Sequence, residues 1–148
     1  MDGQQLQKLM GEVATRLIKK PTRVRLQHPT VDRARGQFYR TLNDSAIIDI
    51  DPTLKFDNMF STFTHEVAHG MLDFWGIQPN LHHLREEGSV KNTPAEWAAR
   101  KSLPLEKRAN ELGAKLEKFA KSRAYDIYVA DSDPAIVGWL KALLTYPR

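Results

Sequence analysis

The chain has no cysteine. That excludes disulfide staples and thiolate metal ligands, so any metal has to be held by histidine and carboxylate. It has no apolar run approaching the roughly 18 residues that a membrane helix needs. The stretch Met1 to Met10 is polar and carries no apolar signal-peptide core, so the chain reads as cytoplasmic, with no membrane partner. Internal repeats and low-complexity linkers are absent too. Histidine is scarce, five in all, which makes any clustering of it informative. What is present is ordinary for a globular protein: 148 residues, 41% hydrophobic and 27% charged. That is enough for a single domain, 1–148, with its own core.

The net charge of +4 is unevenly spread. Residues 1–40 hold nine Lys/Arg against three Asp/Glu, and the remainder holds thirteen against fifteen. A basic N-terminal third suits nucleic acid or an acidic partner. No nucleic-acid motif accompanies it, so a solvated surface is the plainer reading.

Periodicity divides the chain. Leu6, Leu9, Met10, Val13, Leu17 and Ile18 recur at helical spacing over 3–20, with Asp2 as N-cap and Pro21 as stop. Residues 22–27, 37–42 and 45–50 read as strands, and Asn43-Asp44 joins the last two as a hairpin. Strand 45–50 is expected at the sheet edge, with Asp49 and Asp51 blunting it. A second helix is predicted from about Asp57 to Trp75, with Gly76 as its C-cap. Residues 76–93 read as a long loop. Thr93-Pro94-Ala95-Glu96 opens a short helix, Leu103-Pro104 a longer one to about Arg123, and Pro134 a last one through Leu144. Trp75, Trp97 and Trp139 are expected in packing, as are Tyr125 and Tyr128. Strands grouped before helices give an α+β domain. Its expected parts are an N-terminal helix, a small three-stranded, mostly antiparallel sheet, a motif-bearing helix and C-terminal helices.

The second helix carries His65-Glu66-Val67-Ala68-His69. Positions i and i+4 share a helix face, so both imidazoles can point at one ion. Neutral imidazole is a normal zinc ligand. Glu66 lies about 100° around the helix, where it can reach a water beside the metal and act as general base, then acid. Thr62, Thr64, Ala68 and Gly70 keep the helix slim near the motif. Two surface histidines flanking a glutamate are the plainer alternative.

Zinc sites of this kind take a third protein ligand. The metzincin pattern asks for glycine three residues after His69 and histidine six after it. Leu72 and Trp75 stand there, so that pattern is excluded. Glu106, Glu111 and His82 or His83 are the sources left. Glu106 and Asn110 share one face of the helix from Pro104, whereas Glu111 needs a different helix rotation. His82 and His83 also offer a donor to an oxyanion, though a solvated loop explains them as well.

Thr-Phe-Thr-His-Glu-Val-Ala-His-Gly-Met-Leu resembles the active-site helix of ImmA/IrrE-type metallopeptidases. Gly36-Gln37-Phe38-Tyr39 and Ala46-Ile47-Ile48-Asp49-Ile50 stand where that family has its paired strands, and Glu106-Lys107-Arg108-Ala109-Asn110 where it has Glu-x-x-Ala-Asn. The resemblance covers roughly residues 36–120. It implies a zincin-like fold, Zn2+ as cofactor, Glu106 as third ligand and Asn110 as a group orienting a ligand. The implied activity is hydrolysis of a peptide bond in a protein substrate, such as a regulatory protein of a mobile element or stress circuit. A reading from another class stands beside it: a metallopeptidase-like protein that binds protein or nucleic acid without catalysis. An extended substrate is expected to add to the edge strand.

Overall fold

A computed structural model describes residues 1–30, 33–41, 43–74 and 104–147. The loop expected over 76–93, the helix start at Thr93, the Gly76 cap, Trp75, Trp97, His82 and His83 fall outside the described residues. Elsewhere the order is α1 (Gly3–Ile18), β1 (Thr22–Leu26), β2 (Gly36–Arg40), β3 (Ala46–Ile50), α2 (Phe56–Phe74), α3 (Pro104–Arg123), a 3-10 turn (Ala124–Asp126) and α4 (Ala135–Leu143). This is an α+β arrangement: one helix, a three-stranded sheet, then helices. No helix among the described residues is long and apolar enough to cross a membrane.

Local chemistry explains the element ends. Asp2 accepts the Gln5 N–H at 2.8 Å, and the Gln5 side chain accepts the Asp2 N–H at 3.0 Å, a reciprocal cap on α1. Lys19 closes the helix in the left-handed region, φ 63°, before Pro21. Asp44, φ 62°, turns β2 into β3, and these two strands pair antiparallel as the hairpin reading expects.

The sheet is mixed, because β1 pairs parallel to β3. Its order is β1-β3-β2, so β3 is the central strand rather than the expected edge. Parallel neighbours need a crossover of about a dozen residues or more. Residues 27–45, which include β2, supply it. Val24, Ile48 and Phe38 form one cross-strand row, all buried toward α1 and α2. The next row turns the other way. There Asp49 is 0% exposed, gripped by Arg25 through Nε at 2.7 Å and Nη2 at 2.9 Å, with the Tyr39 hydroxyl at 3.2 Å. A buried carboxylate needs such partners. Asp49 therefore clamps three strands together and blunts no edge.

The two true edges differ. Along β1, α1 covers the outward backbone groups: Thr15 Oγ1 accepts the Thr22 N–H at 3.0 Å, and the Gln7 side chain accepts the Leu26 N–H at 2.7 Å. Along β2, Arg35 and Thr41 bond to Asp51 and Ser45 of the hairpin, at 2.8 and 2.9 Å. Antiparallel pairing alternates, so Gly36, Phe38 and Arg40 aim their backbone groups away from β3. This edge runs beside α2.

Below the sheet, α2 buries Met59, Phe60, Phe63, Val67 and Met71 at helical spacing. Leu116 and Ala120 of α3 and Ile136, Val137 and Leu140 of α4 complete the same core. Trp139 packs on Phe60 with ring centroids 5.3 Å apart. Tyr125 and Tyr128 do not pack: they are 93% and 84% exposed. Ala124, Ile127 and Val129 take the core-facing places in that segment, which turns both tyrosines outward.

Candidate metal centre

Helix α2 presents the motif on two faces. His65 and His69, one turn apart, bring their Nε2 atoms within 3.0 Å of each other. Glu106, in the first turn of α3, reaches both: Oε2 lies 3.0 Å from His65 Nε2 and Oε1 lies 3.0 Å from His69 Nε2. These three residues form the candidate metal-holding group among the described residues. Asn110, one turn beyond Glu106, lies near His65, where it favours the protonated imidazole. Glu111 sits exposed on α3 and does not belong to the group.

Glu66 occupies the neighbouring face, toward the β2 edge. It is 6% exposed, and its carboxylate accepts a hydrogen bond from the Phe38 backbone N–H. Burial pushes its pKa up, against the opposing pull of the two histidines. Burial would also raise the Glu106 pKa. The hydrogen bonds and charge of His65 and His69 overcome that and hold the carboxyl well below the usual carboxylate range. Burial lowers the His65 pKa, but the Glu106 hydrogen bond and the Glu66 charge outweigh it, so the net shift is upward. The cluster thus draws positive charge to one point.

The donor set fits a divalent ion. Two imidazoles and a carboxylate are an ordinary zinc set. The two imidazole nitrogens are 3.0 Å apart and each faces a different Glu106 oxygen at 3.0 Å, so the three residues offer ligand atoms within 4.8 Å of one another. His69 is buried, whereas His65 and Glu106 are partly exposed, so the group opens to solvent on one side.

The packing that builds this group is not legible in the sequence. Helix α3 runs back along α2: Glu117 accepts from Ser61 at 2.8 Å, and Lys121 reaches Asp57 at 3.4 Å. Close approach depends on glycine. A Cβ at Gly113 would stand 3.1 Å from His65 Cα, and one at Gly36 would stand 2.5 Å from Thr62 Cγ2 and 3.1 Å from Glu66 Cγ. The slim residues of α2 were legible, but the facing glycines were not. The available signal is that Gly113 lies seven residues after Glu106, two turns on along the same face.

Compared with protein-family models, curated proteins and solved structures, the chain matches none.

Proposed function

We propose that the chain is a zinc-dependent metallopeptidase of the ImmA/IrrE type. In this reading His65, His69 and Glu106 hold the metal and Glu66 is general base and acid. One observation carries it: two imidazole nitrogens 3.0 Å apart, each 3.0 Å from an oxygen of the Glu106 carboxylate, beside the buried Glu66.

When bound, zinc supplies Lewis acidity toward a carbonyl oxygen and toward water. The chain's own residues do the rest. Glu66 is held by the Phe38 N–H and takes a proton from the attacking water. It then delivers that proton to the departing amine nitrogen. Asn110, near His65, would orient it as a supporting group does for a ligand.

Beside Glu66 the β2 edge is already engaged: Phe38 is 0% exposed and its backbone N–H goes to the Glu66 carboxylate.

The test is Glu66→Gln. The variant should keep zinc and cleave unstructured protein substrates at least about 100-fold more slowly. Equal cleavage by the variant would remove Glu66 from the chemistry. If wild type cleaves nothing while variant and wild type share a cellular effect, the non-catalytic binding reading takes its place.

A further inference from the structure

We propose that Gly113 is a positioning residue that sets how deeply Glu106 reaches toward His65 and His69; this rests on the metal-site reading above. Gly113 contributes no donor. Its role is to have no side chain where α3 crosses the motif helix. A Cβ there would lie 3.1 Å from His65 Cα, 3.2 Å from His65 N and 3.3 Å from the Thr64 carbonyl carbon. All three are backbone atoms of the helix that carries both histidines, so no rotamer can swing aside. One of the two helices has to give way to the other, by a few tenths of an ångström.

The site feels more than that. Four residues beyond Gly113, Glu117 is anchored by Ser61 at 2.8 Å and by Lys121 at 2.9 Å, and Lys121 also reaches Asp57. Glu106 lies at the opposite end, eleven residues from that anchor. At about 1.5 Å per residue, the arm from anchor to Glu106 is about 16 Å and the arm to Gly113 about 6 Å. A push of about 0.3 Å at Gly113 then becomes roughly 0.8 Å at Glu106. Metal–ligand distances tolerate about 0.2 Å. The Glu106 side chain then has to leave its preferred reach to keep a metal–oxygen distance inside that window.

Ion size separates this role from general packing. Moving one ligand outward penalises a small ion more than a large one. A merely loosened fold weakens both alike. The experiment measures Zn2+ and Cd2+ dissociation constants for wild type, Gly113→Ala and Gly138→Ala. Gly138 is the control, because its added Cβ meets only Val129 Cγ1 at 3.7 Å and Ala124 Cβ at 3.8 Å. Gly113→Ala should bind Zn2+ about 10- to 100-fold more weakly, the range expected when ligand support is lost. Its Cd2+ affinity should fall less, and Gly138→Ala should match wild type for both ions. If Gly113→Ala folds poorly, it is measured with Gly138→Ala in the same chain. Zinc affinity within threefold of wild type, or equal losses for both ions, overturns the role of Gly113. Failure of wild type to bind Zn2+ at all instead overturns the metal site, and the inference with it.

Discussion

Truncating Arg25 to alanine isolates the Asp49 carboxylate. Asp49 lies in the central strand at 0% exposure, and Arg25 supplies two of its hydrogen bonds, at 2.7 and 2.9 Å. The Tyr39 hydroxyl remains as a partner, at 3.2 Å. Removing one member of a buried ion pair costs about 3–5 kcal/mol. The Arg25 side chain is 26% exposed, so water relieves part of the loss and the low end applies, about 3 kcal/mol. For a domain near 150 residues that lowers Tm by roughly 6–12 °C. Urea titration at constant slope, with thermal melts, measures it. The double variant Arg25→Met with Asp49→Leu removes both charges and should recover most of the stability. A loss under about 1 kcal/mol for Arg25→Ala would mean that Asp49 is solvated, and the clamp across the three strands would be refuted.

Further predictions concern protons and the site. Zinc affinity should fall on acidification, by up to about tenfold per pH unit for each proton displaced. The His65 pKa is raised, so competition should begin above the ordinary histidine value of about 6.5; zinc titrations from pH 8 to pH 5 read it directly. Without metal, Glu66→Gln should gain stability over wild type at pH 8 but not at pH 4. The sign follows from the raised pKa. The buried acid stabilises the fold below its unfolded value of about 4.3 and loses that contribution as pH climbs through the folded value. Melts of both proteins in chelator at the two pH values decide it. Gln7→Ala should cost about 1 kcal/mol by leaving the Leu26 N–H at the covered sheet edge without its acceptor, measured by urea unfolding.

Much of this site is visible in sequence because its geometry is local. The i, i+4 spacing of His65 and His69 needs only a helix, and Met59, Phe60, Phe63, Val67 and Met71 mark one. Glu106 is visible through the resemblance of its helix start, and the structure brings it to both histidines. What hides is pairing at long range. Alternation in 22–27 says which side chains share a face, not that β3 lies parallel beside them. Asp49 resembles an edge device until Arg25, 24 residues earlier, is placed opposite it. Gly113 resembles any weak helix residue, because its neighbour His65 lies on another helix. Tyr125 and Tyr128 resemble core residues, yet Ile127 and Val129 fill that role between and beside them.

The most direct test of the account is the coordination of zinc in crystals grown with the ion, located by anomalous diffraction at the zinc edge. One ion should be bonded to His65 and His69 Nε2 at about 2.0–2.1 Å and to a Glu106 oxygen at about 2.0–2.2 Å. A fully occupied zinc with the Glu106 carboxylate beyond about 3 Å, or protein crystals that take up no zinc there, would contradict it.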